Sequence, residues 1–448
     1  MLSRFLSFLS VAAAFAQSQP ALRERPVVLP LSLKHAVEIA LAPEGNARVQ
    51  IADELVRQAE ARAAQARSAL LPNFDASVSE SNQTRNLRAF GIDFPSVPGF
   101  AFPTITPPFN VFDIRVSGSQ NLFDFSSIRR FQTARASVQS VRSDARGARE
   151  QVAAQVARLY LAALRADAAL ETAKANAELS ETLLRLANSQ KAAGTGTGID
   201  VTRASVQLAN DQQRLLAAQN ERERSHLELL KALGLRLDGQ IELTDALGFR
   251  PVEPIAVEQA IKIALESRPE LKAQEQREAT ARLSYSGVKW ERLPSVALFG
   301  DYGSIGTGPD AAAPTRTYGV SVRLPLFDGG RRDARRAESL SQLKQEQIHT
   351  RDLRDQIELD IRTALDSLRS AEAQVTAARE GLALAERELE QARRRYEAGV
   401  ASSIEVTDAQ TRLQRARDNQ ILALFNHNLA RIDLNSAMGT IQQLIDHY

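Results

Sequence analysis

Val320 to Asp328 reads VSVRLPLFD, and Val116 to Asp124 reads VSGSQNLFD. Each stretch continues a run in which apolar and polar side chains alternate, the period of a strand. Each closes on Leu-Phe-Asp, and a run of helical character follows. One strand-to-helix corner therefore occurs twice in a single chain, and the matches extend outward from it in both directions. Upstream, Leu71-Pro72 aligns with Leu293-Pro294, and Leu33 to Leu41 (LKHAVEIAL) aligns with Val257 to Leu265 (VEQAIKIAL). Downstream, Gly194 to Val201 (GTGTGIDV) aligns with Gly399 to Val406 (GVASSIEV), and Leu233-Gly234 with Met438-Gly439.

Each half predicts two short helices, two strands, a very long helix, a Gly turn and a second long helix. The first repeat covers 31–234, with helices in 33–71, strands near 74–84 and 110–122, and helices near 124–191 and 199–232. The second covers 257–439, with helices in 257–291, strands near 295–304 and 316–326, and helices near 328–397 and 404–438. Residues 235–256, with Pro251 and Pro254, form a linker, and 440–448 a tail.

The long helices exceed what a globule needs. No proline occurs from 109 to 250 or from 326 to 448. A helix of about 65 residues extends roughly 100 Å. Ile357, Ile361, Ala364, Leu368, Ala371, Val375, Ala378, Leu382, Ala385, Leu389, Ala392 and Tyr396 keep a 4-3 spacing, the seam of a left-handed coiled coil. Val152, Val156, Leu159, Ala163, Ala166, Leu170, Ala173, Ala177, Ser180, Leu184 and Ala187 form the matching seam of the first half. Each later helix follows a short Gly turn and so runs antiparallel to the rod before it.

The strand segments carry Phe74, Ala76 and Val78; Phe112, Ile114 and Val116; Val296 and Leu298; and Tyr318, Val320, Val322 and Leu324 on one face each. Strands of about 10 residues match a tilted membrane strand, but four are too few to close a membrane barrel, which needs about eight. A membrane location therefore requires an oligomer; a small soluble sheet is the alternative. No stretch is apolar for about 18 residues, so a bilayer would be crossed as β-structure. Residues 1–16 carry Arg4, an apolar core and Ala14-Phe15-Ala16, the pattern of a secretory signal.

The chain holds 56 basic and 54 acidic residues, a balance that argues against a nucleic-acid partner. It lacks cysteine, which excludes disulfides and thiolate chemistry. His35, His226, His349, His427 and His447 are scattered, so no metal site and no cofactor are expected. Gly194, Gly196 and Gly198 do not make a phosphate loop: they follow a helix, and no Gly-Lys-Ser/Thr succeeds them. No carboxylate pairs with a nucleophile, and no enzyme is expected. Trp290 reads as an interfacial anchor or ordinary packing.

The duplicated plan, with VRLPLFDGGRR at 322–332, RYEAGVASSIEVTDAQ at 395–410 and LNSAMG at 434–439, resembles TolC-like outer membrane efflux proteins over nearly all of 31–440. The resemblance implies a mainly α protein with a small β part. It implies a homotrimer whose protomers each give 4 strands to a 12-stranded barrel in outer membrane lipid. Antiparallel coiled-coil helices would form a periplasmic tunnel roughly 100 Å long. Partners implied are a periplasmic adaptor and an inner-membrane pump of RND, ABC or MFS type. Matched residue by residue, Glu405 and Asp408 fall on acidic gate rings, Asp200 on an acid of the neighbouring turn, and Tyr396 on a gate tyrosine. The family's gate arginine falls on Ala401, leaving Arg203 and Arg412 as candidate replacements. The tips at Gly194 and Gly399 are the expected adaptor-docking points. A secreted or periplasmic coiled-coil scaffold explains the rods but not the paired strands.

Overall fold

The computed structural model describes residues 28–92 and 104–446; the signal segment and His447 lie outside them. Two hairpins make a four-stranded antiparallel sheet: β2 (Asn73–Gln83), β3 (Phe109–Phe123), β5 (Ser295–Gly306) and β6 (Ala313–Arg323), in the order β2-β3-β5-β6. A parallel pair, β1 (Val28–Leu31) with β4 (Gln240–Leu243), lies apart from it. The helices are α1 (Leu33–Leu41), α2 (Ala47–Ser68), α3 (Phe125–Ala192), α4 (Gly198–Leu233), α5 (Val257–Ser267), α6 (Pro269–Lys289), α7 (Arg331–Glu397), α8 (Ser403–Met438) and α9 (Ile441–Asp446).

Local chemistry sets several boundaries. Asp124 caps α3 by accepting from the Ser126 N–H at 3.0 Å. Asn46 does the same for α2 toward Arg48 at 2.9 Å. Pro269 sits in the first turn of α6, where its missing donor is harmless. The last strand ends at Arg323 rather than running to 326, because Pro325 cannot donate to a ladder. The helix after it starts at Arg331 rather than 328, because Gly329 and Gly330 have φ of 66° and 84°. The linker expected over 235–256 contains β4, whose four residues are too short to show alternation. The tail from 440 contains α9, held by the buried Ile441 and Ile445.

The wall is four elements wide at every level. Beneath the sheet, α2 packs on α3, α3 on α6 and α6 on α7. Lower down, α4 packs on α3, α3 on α8 and α8 on α7. Three apolar clusters hold it. One joins β1, α1 and β4 to mid-α3 around Val156, Tyr160 and Leu161. A second joins α5 to α7 and α8 around Ile357, Ile361 and Leu434. The third, near the hairpin tips, gathers Leu389, Tyr396, Val406 and Leu413 with Leu183 of α3.

The seam of α7 is buried at ten of its twelve positions, with Ala378 and Leu382 half-buried. The α3 seam differs. Leu159, Ala173, Ala177 and Leu184 are half-buried, while Asn176 and Leu183 are buried instead. The reason is that α3 touches α4 and α8 together over its lower half, so its buried stripe turns away from a single-partner line.

Register gives the sheet two unlike faces. Ala76, Val116 and Tyr302 align across one face, as do Val78 and Ile114, and Leu298 and Val320. Phe74 lies over Gly118 on this face; a Cβ there would meet its ring at 2.8 Å, so a larger residue would require the ring to shift. The opposite face carries Asp75, Ser77, Ser79, Ser117, Asp113, Arg115 and Asp301. There Arg115 bridges Asp113 at 2.6 Å and Asp301 at 3.3 Å. The apolar face is uncovered, with Tyr318 at 81% exposure. Among the described residues, both β2 and β6 are paired on one side only.

Candidate functional site at the helix-hairpin tips

Two helix hairpins, α3–α4 and α7–α8, end side by side. Their turns share one geometry. Gly194 and Gly399 have φ of 76° and 73°, the left-handed conformation that favours glycine. In the first turn Thr195 N–H reaches Gln190 O at 3.0 Å and Gly194 N–H reaches Lys191 O at 3.1 Å. In the second, Val400 N–H reaches Arg395 O and Gly399 N–H reaches Tyr396 O, each at 3.0 Å. Both are Schellman endings, which satisfy the last carbonyls of the long rods. Among the described residues nothing lies within 4 Å of a Cβ at either glycine, so both turns are open on that side.

Asp200 joins the two hairpins. One carboxylate oxygen accepts from the Thr197 N–H at 3.1 Å and the Thr197 hydroxyl at 2.6 Å, closing the first turn of α4. The other accepts from the Ser403 hydroxyl at the start of α8. Arg203 stands 3.8 Å away. The Ser403 hydrogen bond, then that of Thr197, holds the carboxyl below the usual aspartate range. Tyr396 packs beside it at 8% exposure, and its hydroxyl has no hydrogen-bond partner among the described residues. Burial, with the negative Asp200 nearby, raises its pKa. Its carbonyl accepts from Gln190 Nε2 at 3.3 Å, a second tie between hairpins.

The other two acids are placed differently. Glu405 is exposed and pairs with Arg395 at 3.2 Å. Position 401 holds alanine, and the cation beside Glu405 is Arg395. Arg412 pairs with Glu388 instead, and Arg203 lies by Asp200. Asp408 is exposed and makes no ion pair among the described residues. The structure therefore brings Asp200 and Tyr396 together and leaves Glu405 and Asp408 on the open surface of α8.

Above the tips lies a polar layer that spacing alone did not reveal. Asp211 of α4 is 1% exposed. It accepts from Ser180 of α3 at 2.5 Å, Gln207 at 3.0 Å and Gln410 of α8 at 3.5 Å. Arg214 stands 3.4 Å from it and also reaches Gln414. Arg417 donates to Asn176 at 2.7 Å. Ser180 within an apolar seam was the one sequence signal of this layer. Among the described residues no group of three His, Cys, Asp or Glu is placed to hold a metal, and no helix is long and apolar enough to cross a membrane.

Comparison with known proteins agrees with this architecture. Residues 39–235 and 260–440 match the outer membrane efflux protein family. The pyoverdine export outer membrane protein OpmQ of Pseudomonas putida is 25% identical over 437 residues, covering 96% of this chain and 90% of the relative. The outer membrane efflux protein BepC of Brucella suis is 28% identical over 233 residues, about half of each chain. Among solved structures, the CmeC outer membrane channel of Campylobacter jejuni superposes with a TM-score of 0.78 at 18% identity, over 91% of this chain and 86% of CmeC. The outer membrane protein VceC of Vibrio cholerae gives 0.74 at 18% identity, over 91% and 96%. With a family match across both repeats, and strands and long rods in the arrangement of solved outer membrane channels, the chain belongs to the outer membrane efflux protein family, whose members are channels seated in the outer membrane and reaching into the periplasm.

Proposed function

We propose that three copies of this chain form the passive exit duct of a tripartite efflux or type I secretion system, performing no covalent chemistry. The observation that carries this reading is the pair of bare edges. At sheet level they are β2 and β6; below, α2 and then α4 bound one side and α7 the other. Four strands cannot close, whereas head-to-tail joining of identical copies seals every edge at once. The apolar sheet face then meets lipid, and the Arg115–Asp113–Asp301 face lines the lumen. The open tips at Gly194 and Gly399 dock a periplasmic adaptor, which couples the duct to an inner-membrane pump. A relative named for pyoverdine export matches along nearly the whole chain, and one named for alkaline protease secretion matches at 26% identity over 225 residues, so small molecules and polypeptides are the two cargo classes proposed.

Glu405 and Asp408 are the proposed gate acids. Three copies of two carboxylates around one axis concentrate negative charge in a narrow mouth, which favours cations and binds multivalent ones. The exposure of both side chains on α8 supports this role, and Asp200 and Tyr396 fasten the hairpin that carries them. In planar bilayers the Glu405→Ala/Asp408→Ala double variant should show higher conductance and weaker block by a trivalent cation. Unchanged conductance and block reject the gate assignment.

A further inference from the structure

We propose that the strand-to-helix corner is a docking surface for anionic phospholipid of the periplasmic leaflet. This rests on the reading that the sheet enters the outer membrane. All four strands meet the helices at one level: Asn73 opens β2, Phe123 ends β3, Ser295 opens β5 and Arg323 ends β6. Exposed apolar side chains mark that level, including Leu71, Trp290, Leu324, Leu326 and Phe327, the last two at 88% and 91% exposure. They extend the exposed apolar surface to the end of the strands that meets the helices, and lipid covers them too.

Charge changes abruptly just below. Residues 61–72, 124–136, 282–294 and 323–336 hold thirteen basic and four acidic residues, in a chain whose net charge is +2. The opposite end, residues 188–203 and 394–409, holds four of each sign. General basicity therefore does not explain the belt. Three of its acids are already engaged: Asp328 with Arg332 at 3.4 Å, Glu291 with Arg335 at 2.8 Å and Asp333 with Arg292 at 2.7 Å. Arg130, Arg135, Arg331 and Arg336 are exposed and pair with no carboxylate among the described residues. Each guanidinium offers planar donors suited to a phosphodiester.

The aromatic part of the corner is fixed by packing. Phe125 and Trp290 meet edge to face at 6.1 Å. Lys289 lies 5.3 Å from the Trp290 ring and Arg129 4.9 Å from the Phe125 ring. Indole at the headgroup level, cations immediately beneath it and apolar strands above it match the three depths of one leaflet. A negatively charged headgroup complements this arrangement; a zwitterionic one does not.

The test uses the full-length oligomer in neutral detergent, with native mass spectrometry counting retained lipid. Wild type should retain phosphatidylglycerol in preference to phosphatidylcholine. Arg331→Gln/Arg336→Gln should lower that preference about tenfold or more, whereas Arg393→Gln/Arg394→Gln at the far end should leave it unchanged. Equal retention of the two lipids by wild type, an unchanged preference in the first variant, or displacement by equimolar inorganic phosphate overturns the proposal. An oligomer that inserts and conducts without lipid preference sinks this inference alone; a chain that stays monomeric in plain buffer sinks the duct as well.

Discussion

Asp200 is held by donors from both hairpins, and this gives the tip a pH dependence of definite sign. Its carboxyl is depressed by the Ser403 and Thr197 hydrogen bonds. A group whose folded pKa lies below its unfolded value stabilises the fold above the unfolded value, near 4 for aspartate. That contribution is lost as pH falls through the folded pKa. The Ser403→Ala variant removes the stronger of these hydrogen bonds and should move the acid-induced change in conductance to higher pH than in wild type. Superimposable pH profiles for the two channels would show that the bond does not hold the hairpins. The resemblance singled out Asp200, Tyr396, Glu405 and Asp408 as gate candidates. Their partners were not: Ser403 lies 203 residues from Asp200 in sequence, and Gln190 lies 206 from Tyr396. No local pattern encodes a contact of that range.

At the scale of elements, the rods divide into apolar and polar layers. The seam of α7 meets α8 through alanine, leucine and isoleucine, which bury without needing partners. The Asp211 layer couples α3, α4 and α8 by hydrogen bonds instead. Such a layer fixes register, because a slip leaves buried donors and acceptors unmet. Asp211→Ala should destabilise the folded chain by about 1–3 kcal/mol, as Ser180, Gln207 and Gln410 lose their acceptor. A Ser180→Ala/Asp211→Leu/Gln410→Leu triple variant should recover most of that loss, since it replaces the fully buried members of the set by apolar groups, which is often neutral, while the half-exposed Gln207 and Arg214 turn to solvent. Thermal unfolding decides: a triple variant less stable than the single one contradicts this account. Helix existence and period were readable from proline-free runs and 4-3 spacing. The turn of the α3 stripe toward Asn176 and Leu183 was not, because it depends on α3 having two neighbours.

For the whole molecule, the two-faced sheet and its bare edges determine what the duct can be. Val320 and Ser321 are adjacent residues on opposite faces of β6. Arginine at a lipid-facing barrel position costs about 2–4 kcal/mol near the bilayer midplane, but little on a lumen face. Val320→Arg should therefore sharply reduce the yield of oligomer from the outer membrane fraction, while Ser321→Arg should assemble near the wild-type level. Equal yields would reverse or abolish the assignment of faces. Because the chain has no native cysteine, single cysteines placed on β2 and β6 will report edge-to-edge closure without background.

The sequence by itself determined the duplicated plan, the presence of strands and rods, and the coiled-coil seam of α7. Each follows from a period of two, seven or about two hundred residues that needs no partner to be read. Tertiary structure decided which strand neighbours which, which sheet face carries most of the apolar side chains, and where Asp211 is buried. Those outcomes arise when the two repeats come together. Register across the β3–β5 pair and packing of α8 on α3 fix them, and both join residues from opposite halves of the chain.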